Sequence, residues 1–396
     1  MRILIINRGS STLKFTLFDM YDAGARPAVP LLYGNIDRLG SASAPFRIKD
    51  SKGKNILNQI LKNKNSIQTI RFFLDWMKKY FSGKNPAAVG HRIVHGGAKL
   101  NKPCIITPEI IDYLNNLAYF ATEHLPVEIE VVNEIKKTFP GVPQIACFDT
   151  AFHYNKPGIA KLTPLPRYLS KEGVIRYGFH GLSYEYIISE LGNTAGTETA
   201  NGRIIIAHLG NGSSMSAVKN GKCVETTMGF TPTGGLMMGT RCGDIDPGFI
   251  FYLLEQKKMP VSEVKNILTK KSGLLGVSEI SSDMETLLKT GKNNPFAGEA
   301  IDLYCYTAKK FIGALASTLG GLDTLVFTAG IGENAPSIRE RICENMEYLG
   351  INIDPGKNNN NEAVISKRKS HVTVRVMKTN EALMIARHTK NVLTNK

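Results

Sequence analysis

Three glycine-containing segments of the sequence each follow an apolar run of the kind that forms a β-strand. Gly9-Ser10-Ser11 follows Arg2–Asn7, Asn211-Gly212-Ser213-Ser214 follows the run IIIAHLG, and residues 329–334 follow Thr324–Thr328. Turns of this composition expose backbone N–H groups, which bind phosphate oxygens well, above all beside a helix N-terminus. The first two segments are therefore candidates for binding phosphate groups, and the third suits a phosphate or a ribose edge.

Two arginines and one histidine are candidates for contacting charged substrate groups. Arg92 and Arg241 each lie in a glycine-bounded segment, and a planar guanidinium suits both a carboxylate and the oxygens of a transferring phosphoryl group. His180 lies between Phe179 and Gly181, where an imidazole can approach a reacting group and donate a hydrogen bond. The alternatives are surface salt bridges for the arginines and a hydrogen-bonded core position for His180.

The elements that must position these residues follow a repeated α/β pattern. A strand, a small-residue turn and a second strand occupy Arg2–Asp19, and the same arrangement recurs at Arg203–Val218. Strands alternate with segments of helical periodicity, which are Ile67–Phe81, Val127–Thr138, Ala300–Leu319 and Thr379–Thr389. The repeat predicts two similar α/β halves whose turns face one another across a cleft.

The length of the chain suits two domains. With 396 residues, of which 42% are hydrophobic, it exceeds the usual size of one domain and can bury a sizeable core. We place the boundary near Asp149, which gives an N-terminal lobe of residues 1–149 and a C-terminal lobe of residues 150–379. A final helix, about 380–396, is a candidate to pack back on the first lobe.

The charge of the chain favours anionic partners without choosing among them. The 49 Lys and Arg residues exceed the 34 Asp and Glu residues, for a formal net charge of +15, which attracts nucleotides, phosphates and nucleic acid alike. Part of the excess lies in Leu61–Asn65 and Gly356–Asn361, which read as solvated loops. Aromatic residues are not interleaved with the basic ones, so we do not expect nucleic-acid binding.

Cysteine spacing and the N-terminus indicate the compartment. The six cysteines are single, without a CxxC pair, so reduced structural thiols are expected rather than a zinc site. The sequence begins MRILIINRG and runs directly into a strand, without the layout of a signal peptide and without an apolar run of membrane-spanning length. These features predict a cytoplasmic protein that has no membrane partner.

Nine segments, in order and spacing, together resemble the acetate/propionate kinase family. They are Asn7–Phe15, His91–Gly97, Phe148–His153, Arg176–Gly181, His208–Gly212, Met228–Pro232, Gly239–Arg241, Gly330–Asn334 and Thr379–Ala382. The resemblance extends over nearly the whole chain. It implies a duplicated actin-like, ribonuclease-H-like α/β fold with two lobes and an interdomain cleft, and a homodimeric enzyme.

The resemblance also implies a reaction and a set of site residues. The reaction is the reversible, Mg²⁺-dependent transfer of the γ-phosphoryl group of ATP to acetate, which gives acetyl phosphate and ADP. The acceptor lies on the first lobe and the nucleotide on the second. The implied catalytic residues are Asp149, His180 and Arg241, and the implied acetate-binding residues are Arg92, Val94, Phe179 and Pro232. The implied nucleotide-binding residues are Ser10, Lys14, His208, Leu209, Gly210, Asn211, Gly212, Asp283, Met284, Glu285, Gly330, Ile331, Gly332, Glu333 and Asn334.

The carboxylate substrate needs no general base. A carboxylic acid with a pKa of about 4 to 5 is already ionised at neutral pH, so Asp149 is assigned to organising the magnesium ion, its waters and the nearby arginines. Asn7 and Glu381 are assigned to the metal itself, because Mg²⁺ prefers hard oxygen ligands, and Mn²⁺ is an alternative metal. For Glu381 the competing interpretation is a solvated charge on a helix.

Four positions depart from the family pattern. Arg8 stands where the family usually has Cys, and it either changes the affinity for the phosphate chain or points to solvent. Glu123 replaces a Leu that lines the pocket for the substrate's methyl group, and Glu285 stands where an Arg is common. Leu182-Ser183-Tyr184 replaces Thr-Ser-His directly after His180 and Gly181, and the sequence offers no functional account of that change.

Three alternatives to an acetate kinase stay open at this point. The first is a kinase of another short carboxylate, such as propionate, butyrate or a hydroxy acid. The second is an actin-like ATPase switch without a small acceptor, against which the pocket-like group Arg92, Val94, Phe179 and Pro232 argues. The third is a nucleic-acid-binding protein, which the net charge alone suggests.

Overall fold

Two β-sheets organise the chain, of which this computed structural model describes residues 1–20, 28–291 and 293–394. The chain divides into two compact units, Met1–Ala151 with Asn380–Lys396 and Phe152–Thr379. The last two residues of the predicted C-terminal helix, 395 and 396, lie outside the described residues.

The sheet of the first unit has eight strands in the spatial order β5-β4-β3-β2-β1-β6-β8-β7. The strands are β1 (Arg2–Arg8), β2 (Leu13–Asp19), β3 (Val29–Ile36), β4 (Ser43–Asp50), β5 (Asn55–Lys62), β6 (Ala88–Ile93), β7 (Cys104–Ile105) and β8 (Gln144–Phe148). Strands β1 and β2 form the predicted antiparallel hairpin, and β1, β6 and β8 are parallel neighbours.

The sheet of the second unit has five strands in the order β11-β10-β9-β12-β13. They are β9 (Arg203–Leu209), β10 (Ser213–Lys219), β11 (Lys222–Thr226), β12 (Thr324–Thr328) and β13 (Thr373–Val376). Strands β9, β10 and β11 are antiparallel, whereas β9, β12 and β13 are parallel.

Both sheets share one topology. In each unit, three consecutive antiparallel strands are followed by two parallel strands added on the far side of the first strand: β3-β2-β1-β6-β8 in the first unit and β11-β10-β9-β12-β13 in the second. This confirms the duplicated, actin-like α/β fold that the repeated strand-turn-strand unit predicts. In the first unit, β4 and β5 extend one edge of the sheet and β7 the other.

Helices follow the strands throughout the described chain. They are α1 (Ser66–Tyr80), α2 (Pro108–Asn116), α3 (Leu125–Thr138), α4 (Gly158–Lys161), α5 (Arg167–Lys171), α6 (Gly181–Ala195), α7 (Thr197–Asn201), α8 (Pro247–Phe251), α9 (Val261–Lys270), α10 (Gly273–Ser278), α11 (Met284–Thr290), α12 (Pro295–Leu319), α13 (Ala329–Asn334), α14 (Pro336–Cys343), α15 (Pro355–Asn359) and α16 (Glu381–Thr394). Short 3₁₀ turns occur at Ala118–Phe120, Ala151–His153 and Glu347–Leu349, and a π-helical turn at Tyr252–Gln256. No helix of the described chain has the length and apolar character needed to cross a membrane.

Helix α16 packs on the first sheet against β1, β6 and β8. The approach is close at Gly90 of β6, where any side chain would collide with Ile385 and Thr389 of the helix. Glycine is therefore required there, and the helix begins at Glu381 beside the end of β1.

The longest helix, α12, is held at both ends by its sequence and forms much of the core of the second unit. Asn294 caps its N-terminus by accepting a hydrogen bond from Ala297 N, and Gly320 ends it in the left-handed conformation with φ of 70°, which favours glycine. Between these ends, a face that includes Ile301, Tyr304 and Ile312 is buried. The helix packs against β9, β10 and β11 and so supports the turn between β9 and β10.

The segment after β12 differs from the sequence prediction. The pattern predicts a glycine turn over residues 329–334 before a helix that opens at Pro336. Helix α14 does begin at Pro336, but Ala329–Asn334 forms the short helix α13. Ala329 itself has a positive φ of 65°, so the sharp change of direction is confined to one residue.

Candidate active site

The turn between β1 and β2 presents polar groups at the edge of the first unit. Gly9 N donates to Thr12 O at 2.8 Å, which closes the turn. Ser10 and Lys14 are exposed, and Lys14 is the cross-strand neighbour of Asn7. The hairpin thus has an exposed hydroxyl and an exposed cation that an anionic ligand could contact.

Arg8 is buried beneath this turn. Its side chain is 2% exposed and donates to Gly9 O and, at 3.2 Å, to Thr12 O. A third hydrogen bond of 3.3 Å reaches Ser66 Oγ at the start of α1. The solvent-facing interpretation of Arg8 is therefore wrong, because the guanidinium is buried against the turn of its own unit. An effect of Arg8 on the affinity for the phosphate chain stays a prediction.

Arg92 and Asp149 form a buried ion pair in the first unit. Arg92 lies on β6 and Asp149 directly after the parallel neighbour β8, and Arg92 Nη2 donates to Asp149 Oδ2 at 2.5 Å. The Asp149 backbone is fixed by its N–H, which donates to Ile93 O at 3.0 Å. Burial alone would lower the pKa of Arg92, but the negative charges around it, led by Asp149, outweigh this and raise the pKa. Arg92 is therefore permanently charged.

Glu128 is a member of this group that the sequence interpretation missed. It lies in the first turn of α3, is 1% exposed, and accepts a hydrogen bond from Val94 N at 3.0 Å. The signal was present in the sequence, because Glu128 falls on the same helical face as the buried residues Val132 and Ile135. A charged residue at an apolar position of a helix points to a specific partner.

Asn7 and Glu381 meet in the first unit. Asn7 Nδ2 donates to Glu381 Oε2 at 3.2 Å, although the two residues lie near opposite ends of the chain. The pair results from the packing of α16 on β1, since Glu381 is the first residue of that helix and Asn7 is near the end of the strand. The two metal ligands assigned from the sequence are therefore neighbours in the structure.

His180 begins α6 in the second unit with a left-handed backbone at φ of 59°. Its Nδ1 lies 2.9 Å from Ser214 Oγ, and the hydroxyl of Tyr184 forms a short hydrogen bond with the same Ser214 oxygen. If His180 Nε2 carries a proton for donation, Nδ1 accepts from Ser214 and Ser214 accepts from Tyr184. Tyr184, one of the unexplained departures from the family pattern, is thus linked to His180 through one serine.

His208 stacks on His180 in the second unit. The ring centroids lie 4.2 Å apart with an interplanar angle of 18°, and His208 Nδ1 lies 2.9 Å from Ser183 Oγ. The Ser183 hydroxyl also lies 2.8 Å from Thr379 Oγ1. The first turn of α6 therefore holds both histidines, His180 through Tyr184 and His208 through Ser183.

His180 and Arg241 converge on the glycine turn between β9 and β10. The position that a Cβ would take at Gly212 lies 3.3 Å from His180 Nε2 and 3.6 Å from Arg241 Nη1. Arg241 Nη1 also donates to Pro232 O at 2.7 Å, which fixes the guanidinium. An imidazole, a guanidinium and backbone groups of a turn are thereby directed to one place, a combination that suits a phosphoryl group.

The turn at Gly210 and the start of α13 are neighbours in the same unit. A Cβ at Gly210 would lie 3.7 Å from Ala329 Cβ and 3.9 Å from Gly330 N, so two of the predicted phosphate-binding segments are brought together. The Glu333 carboxylate is hydrogen-bonded to backbone groups of the same unit: its Oε1 accepts from Ala329 N at 2.9 Å and from Thr379 N at 3.1 Å.

Arg339 supports this segment from the core and was not identified from sequence. It is fully buried and donates from Nη1 to Gly332 O at 2.9 Å and to Glu333 O at 3.1 Å. Its remaining donors bond Asn358 and Asn361. Arg339 therefore satisfies the carbonyl groups at the end of α13.

The remaining nucleotide-side residues have structural partners in the second unit. Asp283 caps α11 by accepting from Thr286 N at 3.0 Å, and the side-chain hydrogen bond from Thr286 lowers the pKa of Asp283. Met284 is buried in the core, and Glu285 pairs with Lys289 at 2.6 Å on the surface. Their assignment to the nucleotide stays a prediction.

The proposed acceptor-pocket residues are apolar and mostly buried in their own units. Val94 in the first unit and Phe179 in the second are buried, and Pro232 is half-buried. Glu123, the departure from the pocket motif, is half-buried in the first unit. Whether these residues contact a substrate stays a prediction.

Two buried basic residues hold the segment that leads to His180. His153 Nε2 lies 2.9 Å from Phe179 O, and Lys156 Nζ donates to Tyr177 O at 2.9 Å. Burial lowers the pKa of Lys156 to about 8. Sequence reasoning missed both, because a lysine and a histidine that bond backbone carbonyls leave no spacing pattern.

Comparison with known proteins gives consistent matches over the whole chain. The profile of the Acetokinase family matches residues 2–387. The chain is 44% identical over 391 residues to an acetate kinase of Rhodopseudomonas palustris, covering 98% of this chain and 97% of the relative. The crystal structure of Porphyromonas gingivalis acetate kinase aligns with a TM-score of 0.88 at 38% identity, covering 99% of this chain and all of that one. A propionate kinase from Francisella tularensis aligns with a TM-score of 0.91 at 34% identity and 99% coverage of both chains.

Proposed function

The chain belongs to the acetokinase family, and on that premise we propose that it is an acetate kinase, a phosphotransferase with a carboxyl group as acceptor. An oxygen of acetate attacks the γ-phosphorus of ATP, the bond from that phosphorus to the β,γ-bridging oxygen breaks, and acetyl phosphate and ADP result. The reaction is reversible. Its use of ATP supports the cytoplasmic location predicted from the sequence.

The observation that carries the proposal is the convergence of His180 Nε2 and Arg241 Nη1 on Gly212. Transfer of a phosphoryl group needs charge stabilisation and in-line positioning more than covalent help from the protein. A guanidinium fixed by Pro232 O and an imidazole oriented by Ser214 are preorganised for that purpose. We assign these two side chains to the oxygens of the transferring group.

On the acceptor side, we assign Arg92 to the carboxylate of acetate. Its guanidinium stays charged over the whole working range of pH, and Asp149 fixes its orientation. Acetate is already ionised at neutral pH, so Asp149 need not remove a proton. Val94, Phe179 and Pro232 are assigned to the methyl group.

We also propose that the two units are the two lobes of the enzyme, about as the sequence predicts them. The acceptor-side residues Arg92 and Asp149 belong to residues 1–149, and the turn at Gly212 belongs to residues 150–379. The C-terminal helix of about 380–396 completes the first lobe and supplies Glu381.

The assignment of Mg²⁺ to Asn7 and Glu381 is supported by the chemistry of the two side chains. The hydrogen bond from Asn7 Nδ2 to Glu381 Oε2 brings the two side chains together, and both carry hard oxygen donors of the kind that Mg²⁺ or Mn²⁺ prefers. No group of three or more His, Cys, Asp and Glu side chains within the described ranges could hold a metal. This fits a metal that is held by a carboxylate, waters and substrate phosphates. When bound, the metal neutralises phosphate charge.

A homodimer is supported by aromatic residues on the surface of the second unit. Phe249 and Phe251 of α8 and the following Tyr252 are 61%, 58% and 49% exposed. Large aromatic side chains are enriched at protein interfaces, and these three are exposed within one short segment. Sedimentation equilibrium tests the assignment: Phe249→Ser with Phe251→Ser is expected to weaken a dimer, and a wild-type monomer would contradict it.

An acceptor screen tests the proposed function. The enzyme is incubated with ATP, Mg²⁺ and hydroxylamine, which traps acyl phosphates, and with each of the C2 to C4 acids, with and without hydroxyl groups. We expect acetate to give the highest kcat/KM. The similarity to a propionate kinase makes propionate the informative competitor, and a clear preference for it would replace acetate as the substrate. Formation of no hydroxamate with any acid would refute the function.

A further inference from the structure

Glu128 contacts both groups that the proposed function assigns to the acceptor on the first unit. Its Oε2 accepts from Val94 N at 3.0 Å, and its Oε1 lies 3.8 Å from Arg92 Nη1. The side chain is 1% exposed, and Oε1 is buried without a hydrogen-bond partner among the described residues. Glu128 therefore holds the backbone at Val94 and lies beside the guanidinium without sharing a proton with it.

The charge around Arg92 limits how Glu128 can act. Arg92 already donates to Asp149 at 2.5 Å and also lies in the field of Glu381. An ionised Glu128 would add a third negative charge around Arg92, against which the only other positive charge that acts on Glu128 within the described chain is that of Arg8. An anionic substrate would then approach a group of net negative charge, which is unfavourable in a partly buried site. A neutral Glu128 would leave more of the positive charge of Arg92 for the substrate.

We propose that Glu128 is a positioning residue of the acceptor site, which holds the backbone at Val94 beside Arg92 and does so as a neutral carboxyl group. The inference rests on the proposed function, because it takes Arg92 to be the acetate-binding residue. It adds a residue to the site and a condition on its protonation. As pH rises and Glu128 ionises, binding of the carboxylate substrate weakens.

The surroundings of Glu128 agree with a neutral form at neutral pH. Burial raises the pKa of Glu128 to about 8, and the positive charge of Arg92 acts in the opposite direction without cancelling this. The other charged groups that act on Glu128 are Asp149 after β8 and Arg8 on β1, and Glu130 of its own helix lies near Arg8.

The titratable groups on the other elements around α3 are hydrogen-bonded, ion-paired or exposed to solvent. His91 of β6 is hydrogen-bonded to Gln144, Arg71 of α1 pairs with Glu134, and the remaining charged side chains of α1 and α2 are exposed: Asp75, Lys78, Lys79, Glu109 and Asp112.

The test is the pH dependence of the KM for acetate at saturating MgATP, between about pH 6 and about pH 9. For the wild-type enzyme we expect KM to rise above the pKa of Glu128, by up to about tenfold per pH unit, while the KM for ATP stays constant. Glu128→Gln cannot ionise, so its KM for acetate is expected to be flat over the same range. Glu128→Ala loses the hydrogen bond to Val94 N, and we expect its KM for acetate to rise about tenfold at every pH.

Glu134→Gln is the matched control, because Glu134 lies on the same helix and pairs with Arg71, well away from Arg92. Its pH profile should follow that of the wild type. If Glu128→Gln also follows the wild type, the charge argument is overturned, and an unchanged KM for acetate in folded Glu128→Ala would overturn the positioning role. If Glu128→Ala does not fold, the glutamine variant decides alone. If the wild-type enzyme phosphorylates no short acid, the proposed function fails and this inference fails with it.

Discussion

Arg92 and Arg241 are the two arginines assigned to anionic substrate groups, and different hydrogen-bond acceptors orient them. Arg92 is bonded to the buried carboxylate of Asp149, whereas Arg241 is fixed by the neutral carbonyl oxygen of Pro232. We assign Arg241 to charge that develops during transfer, because it shares the place at Gly212 with His180, and Arg92 to holding a substrate that is charged throughout.

Replacing Arg241 with Ala is expected to lower kcat by about a hundredfold or more. The cation aimed at the phosphoryl group acts mainly in the transition state, so the KM for ATP should change much less. Steady-state kinetics measure both. Arg341→Ala, which removes an exposed arginine paired with Asp302, is the control, and near wild-type turnover in folded Arg241→Ala would remove Arg241 from the mechanism.

A substitution of Glu123 shows whether this residue influences which acids the pocket accepts. If its half-buried side chain meets the substrate, Glu123→Leu should raise kcat/KM for acetate and propionate and lower it for glycolate and lactate. A carboxylate beside a methyl group is costly, whereas a substrate hydroxyl can donate a hydrogen bond to it. We expect instead that Glu123 does not meet the substrate and that the ratios of kcat/KM among the four acids stay unchanged. The reason is that Val94, Phe179 and Pro232 are still consistent with an apolar pocket. A shift toward the unsubstituted acids by an order of magnitude would contradict this expectation.

The sequence identifies individual residues that lie in recognisable motifs, but it misses the residues that fix those motifs in place through hydrogen bonds. Arg92, His180 and Arg241 lie in glycine-bounded segments, and Asp149 follows an apolar run, so all four can be singled out from the sequence. Their roles stay predictions. The solvent-facing interpretation of Arg8 was wrong, because only the folded turn places two carbonyl oxygens around its guanidinium. Contacts to backbone groups depend on the path of the chain, and residue type alone does not reveal them.

Helix α6 is the element that most directly organises the second-unit half of the site. Its first turn supplies His180, Ser183 and Tyr184, and the latter two are linked to both stacked histidines. Since the helix begins at His180 with a left-handed residue, the imidazole position depends on the helix start being fixed.

Tyr184→Phe is expected to lower kcat by about tenfold and to alter its pH profile. Without the phenol, Ser214 loses the donor that favours donation of its own proton to His180 Nδ1, so the tautomer with a proton on Nε2 is less favoured. The measurement is kcat and both KM values over pH. Tyr168→Phe, on the exposed face of α5, is the control, and a wild-type profile for Tyr184→Phe would show that the link is only structural.

Helix α16 gives a second prediction at this scale. Glu381→Ala should raise the Mg²⁺ concentration needed for half-maximal activity, because a carboxylate in or next to the metal's coordination sphere sets its local affinity. Thermal stability should change little, since Glu381 is at the helix N-terminus and not in the core. An alanine substitution of exposed Glu299 is the control. Coincident Mg²⁺ titrations for wild type and Glu381→Ala would exclude Glu381 from the metal site.

The elements themselves were largely predictable, because their signals are local. The strand over Thr324–Thr328 and the helices that include Ile67–Phe81 and Val127–Thr138 occur within a few residues of their predicted bounds. The short helix α13 was predicted as a turn, since six residues with two glycines carry little helical periodicity. It is stabilised by Arg339, which bonds its carbonyl groups.

For the whole molecule, duplication of one sheet topology is the organising feature. It was predictable because each copy begins with a strand, a glycine turn and a strand, and such repeats are visible in sequence. The network around Glu128 was not predictable, because it depends on the packing of α3 beside β1 and β6.

The stability of the fold should depend on pH through Glu128. Its pKa is raised from about 4.5 to about 8 by burial, so between these values the unfolded chain releases a proton that the folded protein keeps, and stability falls as pH rises. Glu128→Gln has no such loss. We expect the difference between the Tm of Glu128→Gln and the Tm of the wild type to increase by several degrees from about pH 5 to about pH 8.

Glu134→Gln provides the comparison for that experiment. Hydrogen bonds from Arg71 and Lys137 hold the pKa of Glu134 at about 2, below its unfolded value, so its stabilisation is lost only in acid. The Tm difference between Glu134→Gln and the wild type should stay constant over the same range. A constant difference for Glu128→Gln as well would show that Glu128 is ionised in the folded protein at neutral pH.

The central claim is that a carboxylate oxygen of acetate attacks the γ-phosphorus of ATP directly. The most direct measurement uses acetate labelled with ¹⁸O in both carboxylate oxygens, together with ATP, Mg²⁺ and the wild-type enzyme, followed by ³¹P NMR of the products. We predict acetyl phosphate whose phosphorus signal carries the isotope shift of a bridging ¹⁸O. Consumption of ATP to ADP and unlabelled phosphate, without labelled acetyl phosphate, would contradict the account.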